Sequence, residues 1–218
     1  EYHYSKLNEG LKKAAAKLPR VDAIGGSTAG VVVDNRIQVA SLFRAIPQER
    51  YAEAQNLFLR LAREWQVPVE VANDGDVTAL AGLMSLGKKG ILGVAMGSSE
   101  AAGFIDRKGC LTGRLSELAF APVDLHPAAP ADEWSGDIGV GAMYFSQQAV
   151  NHLALKKGIR FPAKMPLPER LKRVQERMLD GDVTALTLFQ KIGLYLGYTV
   201  PWYREVYGFD SLMILGRV

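Results

Sequence analysis

Cysteine is almost missing from this chain: Cys110 is the only one in 218 residues. No intrachain disulfide can form, and a cysteine-built zinc cluster is excluded. The usage fits a reducing compartment, so a cytoplasmic location is the expectation. Histidine is scarce as well, and His3, His126 and His152 have no metal-ligand spacing. Charge of one sign is not in excess, since 26 Lys and Arg against 23 Asp and Glu leave +3. No basic cluster accompanies that small surplus, which argues against nucleic acid as the partner of this span. No apolar run approaches the roughly 18 residues of a membrane span, and the opening residues lack a secretory-signal pattern. What is present is an ordinary globular balance, 48% hydrophobic and 22% charged, enough to bury a real core. The length suits one large domain or two small lobes.

Patterning along the chain alternates helix and strand. Leu7, Leu11, Ala14, Ala15 and Leu18 form a helical stripe over residues 4–18. Val21–Gly26 reads as a short buried strand, and residues 31–39 as two strands around an Asp34-Asn35 turn. Residues 48–65 read as one helix, 69–72 as a strand running into Asn73-Asp74-Gly75, and 76–86 as another helix. A second cycle opens with strands at 90–97 and 101–105, then a turn at Asp106–Gly109 and a third strand near Cys110 and Leu111. Helices are expected over 138–155, 169–179 and 182–207, the last kinked by Pro201. The apolar residues 212–216 close the span as a strand, and Ile24, Val69, Val71, Leu92 and Ile214 are expected on buried strands. This order predicts an α/β fold with mixed sheets. The Gly-Lys-Lys-Gly turn at Gly87–Gly90, which leaves a helix for a new strand, divides it into residues 1–88 and 89–218.

Four segments could carry chemistry. In open α/β sheets, polar groups just beyond strand carboxyl ends meet ligand. Asn73 and Asp74 hold that position, where a carboxylate can take a proton from a substrate hydroxyl. Locally the same residues read more simply as a turn and helix cap. The hairpin Met96–Gly103, with Gly97, Ser98 and Ser99 at its tip, could aim backbone N–H groups and a hydroxyl at phosphate. It lacks the terminal Gly-Lys-Ser/Thr of a P-loop, and an ordinary hairpin with small residues reads equally. Ile24–Gly30, including Gly26 and Ser27, is either a sugar- or phosphate-side loop or a flexible strand end. Glu117 could hold a sugar hydroxyl, or could simply be a surface glutamate. The tryptophans Trp65, Trp134 and Trp202 read as packing residues.

Taken in order, these segments resemble the ROK family (repressors, open reading frames and sugar kinases), of the actin–hexokinase ATPase superfamily. Ala23–Val32 is similar to its glycine-rich strand and sugar-side loop, and Val71-Ala72-Asn73-Asp74 to its Asn-Asp segment. Gly97–Gly103 lies where the family has Gly-Thr-Gly-Ile-Gly-x-Gly, and Glu117 falls on the glutamate of Gly-Glu-Ile-Gly-His. Leu212–Gly216 resembles the strand before its adenosine-binding glycines. There are departures. Ser99 and Ala101 replace two loop glycines, Phe120 the histidine, and Ala142 falls near a further sugar-binding glutamate. The family's opening Asp-x-Gly-Gly-Thr hairpin and its closing nucleotide segment find no counterpart, so the chain is expected to be an internal part of a longer protein, inactive as a sugar kinase by itself.

The resemblance implies a two-lobed actin/hexokinase-like fold, both lobes incomplete in this span, with Asp74 facing the interlobe cleft. It implies ATP-dependent phosphoryl transfer to a sugar hydroxyl in the intact protein, using ATP and magnesium but no structural zinc. Asp74 would be the base. Asn73, Glu117, Gly26 and Ser27 would bind the sugar, and Gly97, Ser98 and Ser99 would face the phosphates. The alternative is a non-catalytic, sugar-sensing domain of a transcriptional regulator, or a pseudokinase. The expected partner is a small-molecule sugar, with no membrane or nucleic acid contacted by this span and a homo-oligomeric state.

Overall fold

A computed structural model describes residues 1–40, 43, 45–114, 116–133 and 135–218. By internal contacts the chain forms two compact units, Glu1–Val77 and Thr78–Val218. Each is described by itself.

The first unit holds α1 (Tyr2–Ala15), β1 (Ile24–Thr28), β2 (Val31–Val33), β3 (Arg36–Val39), α2 (Tyr51–Gln55), α3 (Leu57–Trp65) and β4 (Val69–Asn73). β1 and β4 pair in parallel, Ile24 opposite Val69 and Thr28 opposite Asn73. β2 and β3 form a hairpin whose turn residues, Asp34 and Asn35, both have positive φ (50° and 59°). Asn and Asp tolerate that conformation, and turns of this hand match the strand twist. Asn35 does more than turn the chain. Its Nδ2 donates to the Val69 carbonyl (2.9 Å) and its Oδ1 accepts from the Val71 N–H (2.7 Å). Its amide thus satisfies the edge of β4 that β1 leaves open. Replacing Asn35 by alanine should remove both bonds and lower stability by about 1–3 kcal/mol, read from urea denaturation.

Two helices here differ from the sequence pattern. Residues 48–65 do not form one helix: a short 3₁₀ turn, Gln48–Arg50, precedes α2, and Asn56 separates α2 from α3. The Asn56 side chain donates to the Ala52 carbonyl (2.7 Å), competing with the backbone ladder at that point. On α1 the buried residues are Tyr4 and Asn8, whereas Leu7 is exposed, and the helix ends at Ala15, before the exposed Leu18. Asn8 is buried because it is satisfied: its Nδ2 donates to Glu64 (2.6 Å) and its Oδ1 accepts from the Trp65 indole N–H (2.8 Å). Tyr4 also donates to Glu64. A purely apolar stripe misses such a face. The strand expected from Val21 begins at Ile24, which is only half-buried.

α4 (Asp74–Leu86) starts in the first unit and runs into the second. There its Ala79 packs with Ile91 and Ile105, so close to the sheet that a Cβ on Gly93 would lie 3.1 Å from the Ala79 backbone. The second unit then contains β5 (Ile91–Met96), β6 (Glu100–Ile105), α5 (Gln147–Lys156), α6 (Leu167–Leu179), α7 (Val183–Tyr207) and β7 (Ser211–Gly216). Its sheet has the order β6-β5-β7, antiparallel for β5–β6 and parallel for β5–β7. The fold is therefore α/β with mixed sheets. Leu92, Val94, Phe145, Val150, Leu188 and Tyr203 lie at the centre of the core that α5 and α7 close over this sheet.

Helix ends follow their caps. The Asp182 carboxylate accepts from the Thr184 and Ala185 N–H groups to open α7, and Gly208 (φ 64°) ends it. α7 is continuous through Pro201. α5 begins only at Gln147, capped by Ser146, and not at Ile138. Residues 138–140 form a bend between two bridges instead: Gly139 has φ 71°, and its carbonyl accepts from the Val123 and Asp124 N–H groups. No third strand forms at Cys110 and Leu111. The Asp106 side chain accepts from the Lys108 and Cys110 N–H groups and tightens the turn, leaving a single bridge, Ile105 to Leu111. Ile214, expected in a buried strand, is 51% exposed because β7 is an edge strand. Trp65 packs as expected, Trp202 stays 41% exposed, and Trp134 lies outside the described residues. Among the described residues no helix is long and apolar enough to cross a membrane.

Candidate functional site

In the first unit, the parallel register brings four sequence candidates to one strand end. Gly26 pairs with Val71, Ser27 with Ala72, and Thr28 with Asn73, after which the chain enters α4 at Asp74. Asn73 is a bracket. Its Nδ2 donates to the Gly30 carbonyl (2.7 Å) and its Oδ1 accepts from the Gly75 N–H (2.8 Å), which ties the loop after β1 to the start of α4. One amide N–H remains for a ligand. Gly30 (φ 93°) must be glycine, because a Cβ there would strike the Val39 carbonyl. Asp74 follows with an exposed side chain, and its Oδ1 accepts from the Gly75 N–H at 3.1 Å. The carboxylate therefore stands at a strand's carboxyl end and a helix N-terminus, where negative charge is favoured. Ser27 is exposed beside it in the sheet, and Gly26 is half-buried.

Sequence reading passed over Asp76, two residues further along α4. Burial, with the Asp74 carboxylate adding to it, pushes its carboxyl up to about 6. An acidic residue two places into a helix gives no sequence signal for this, since only packing decides how far it is desolvated.

In the second unit, Gly97, Ser98 and Ser99 form the tip of the β5–β6 hairpin, with both serines exposed. The Gly97 N–H donates to the Ser99 carbonyl (2.9 Å), and the Gly97 carbonyl accepts from the Gln147 N–H (2.9 Å), anchoring the tip to the start of α5. Glu117 is half-buried just before a 3₁₀ turn, Leu118–Phe120, and its carbonyl accepts from the Phe120 N–H (3.0 Å).

The residue that joins hairpin and turn is Glu100, which sequence reading treated only as part of the loop. It is 3% exposed, and burial pushes its carboxyl up to about 8, against a small opposing effect of the Tyr203 hydroxyl. Tyr203 donates to its Oε1 at 3.4 Å, while Oε2 has no partner among the described residues. A signal existed: an ionisable residue at the place where the resembled loop has isoleucine.

Two grooves, of about 720 and 320 Å³, run along α1 and contain none of these candidates. The polar wall of the larger is the Tyr4–Asn8–Glu64 network, and that of the smaller is Glu1, Arg50, Glu53 and Arg60, so we read both as surface relief. Among the described residues, no three His, Cys, Asp or Glu side chains gather as a metal-binding group.

No family model matches the sequence, and no curated protein sequence matches it. Solved structures do match. A ROK family transcriptional regulator, a homologue of the E. coli Mlc protein, superposes with a TM-score of 0.70 at 19% identity, over 98% of this chain and 54% of its own. The ROK hexokinase of Thermus thermophilus gives 0.72 at 20% identity, over 97% and 69%. A ROK family glucokinase from Streptomyces griseus, solved with glucose and AMPPNP, gives 0.65 at 18%, over 95% and 70%. The chain thus spans about half of the regulator and just over two thirds of the two kinases. Across nearly its whole length, this chain carries the fold of ROK family sugar kinases and regulators.

Proposed function

We propose that this chain is the sugar-binding and phosphate-facing part of an ATP-dependent sugar kinase, with Asp74 as the general base. The observation that supports it is the strand end of β4. Asn73 is fixed at both ends of its amide to backbone, and the adjacent Asp74 carboxylate is left exposed. A carboxylate in this place can accept a hydroxyl proton as that oxygen attacks. Asn73 would donate its remaining N–H to the sugar, with Ser27, Gly26 and Glu117 as further sugar contacts. Gly97, Ser98 and Ser99 would face the phosphates. The donor set fits an anion: the hairpin tip exposes two hydroxyls, and its nearest carboxylate, Glu100, is buried. A bound nucleotide with its magnesium supplies the transferable phosphoryl group and neutralises its charge. The protein's own share is positioning and the removal of one proton.

A second reading, a sugar sensor without turnover, is favoured by one observation. The Gly97 N–H is already taken by Ser99, and Ser99 stands where the resembled loop has glycine, which leaves the hairpin fewer donors for phosphate. Both readings require sugar binding. Calorimetric titration with glucose and its epimers should detect one site, weakened about tenfold or more by Asn73→Ala, as expected for losing a bracket and a ligand contact. Absence of binding by every hexose tried would contradict both.

A further inference from the structure

The carboxyl group of Glu100 reaches three elements of the second unit at once. It starts β6, directly after the hairpin tip. Its Oε1 accepts from Tyr203 of α7. Its Oε2 lies against residue 141, where the 3₁₀ turn Gly141–Met143 passes. A Cβ on Gly141 would collide with both Glu100 Oε2 and the Leu118 carbonyl, so these two oxygens converge on one point. The Leu118 carbonyl accepts once from the Ala121 N–H (3.0 Å) and keeps a second lone pair.

Two buried acceptors facing each other are unfavourable unless a proton lies between them. The hydroxyl of Tyr203 assigns Oε1 as the carbonyl oxygen of a neutral acid, which leaves the proton on Oε2. We propose that Glu100 is a protonated latch, a positioning residue whose Oε2–H donates to the Leu118 carbonyl and so fixes the turn carrying Glu117 to the strand that follows the phosphate-facing hairpin. Ionisation removes that proton and sets two acceptors against each other, which opens the latch. The joint itself is independent of the sugar-kinase reading; only its effect on ligand binding rests on that reading.

Among the described residues, the elements around Glu100 supply no competing charge. β5 (Ile91–Met96) and the turns Leu118–Phe120 and Gly141–Met143 contain no ionisable side chain, and Glu117 lies just outside the first turn. From α7 the facing group is the phenol of Tyr203, with Tyr207 a turn later acting on Tyr203. Tyr203 is itself pushed up by burial, with the Glu100 carboxylate adding, so it stays a neutral donor across the working range. The upward displacement of the Glu100 carboxyl agrees with the geometry. Gly141 belongs to the same device, since any larger residue would enter the space that the two oxygens share.

The test is carbon-13 NMR of glutamate-carboxyl-labelled protein, with Glu100→Gln identifying the resonance. The Glu100 carboxyl should remain in its protonated position at pH 7 and titrate well above the ordinary carboxylate range. Tyr203→Phe, which removes the one donor to Oε1, should move that midpoint higher still. Amide exchange at residues 119–121, corrected by the Glu100→Gln protein at each pH, should accelerate about tenfold or more between pH 7 and 9. A glutamine side chain keeps an N–H donor for Leu118 and cannot ionise, so the variant should stay closed. A carboxyl that titrates as an ordinary glutamate, or amide exchange with the same pH dependence in both proteins, would overturn the latch. If the latch opens while hexose affinity stays flat, the latch stands and the placing of Glu117 in a sugar site falls.

Discussion

Asp74→Asn should reduce phosphoryl transfer by the intact protein about 10²- to 10⁴-fold while changing sugar affinity little. Asparagine keeps the size of the side chain, and its amide oxygen can still accept from the Gly75 N–H (3.1 Å in the native chain). What it cannot do is take the hydroxyl proton. If Asp74 instead serves only as a hydrogen-bond acceptor for a sugar, the loss appears in binding, because hydrogen bonds to charged groups contribute roughly 1.5–3 kcal/mol. Parallel turnover and titration separate the two, and unchanged turnover removes Asp74 from the mechanism. The variant should fold normally, since Asp74 is exposed and the β4–α4 junction is held by Asn73.

Glu100→Gln should stabilise the protein above neutral pH and leave it unchanged in acid. The native carboxyl is pushed up to about 8, far above the ordinary glutamate value of 4.5 that the unfolded chain recovers. Below pH 4.5 both folded and unfolded states hold the proton, and the full contribution of the neutral acid is present. As pH rises from about 4.5 to about 8, the unfolded state ionises and the folded state does not, so native stability falls progressively and then levels off. The displacement corresponds to a difference on the order of 4–5 kcal/mol at pH 8. The Glu100→Gln protein would carry no such dependence. Urea denaturation of both proteins at pH 4.5, 6 and 8 reads the difference directly. Equal stability at all three values would show that Glu100 is ionised in the folded protein at little cost.

Much of this architecture is legible in the residues. The strands Val69–Asn73 and Ile91–Met96, the Asp34-Asn35 turn, and α7 with its Asp182 cap are short-range patterns whose cause lies within a few neighbours. Three of the misreadings come from a partner or neighbour distant in sequence. Asn8 is buried because Glu64 and Trp65 receive it, and no periodicity of α1 announces them. Residues 138–140 stay out of a helix because the Val123 and Asp124 N–H groups bind the Gly139 carbonyl. Ile214 is exposed because sheet order puts β7 at the edge.

The same holds for the site. Asp74 at the end of a strand followed from local pattern, and so did the hairpin tip at Gly97–Ser99. Asn35 as a second edge for β4, the fixed amide of Asn73, and Glu100 between Tyr203 and Leu118 did not. Each is a long-range polar contact, and such contacts have no period. Only in the folded chain does a glutamate among small loop residues become a buried acid.

The most direct measurement on the central proposal is transfer of the terminal phosphoryl group from labelled ATP to a hexose by the intact protein. With magnesium present, the reading of Asp74 as base predicts a labelled sugar phosphate, with formation reduced by Asp74→Asn. Saturable hexose binding without any labelled product, in a protein that also retains ATP, would contradict the kinase reading and leave the sensor.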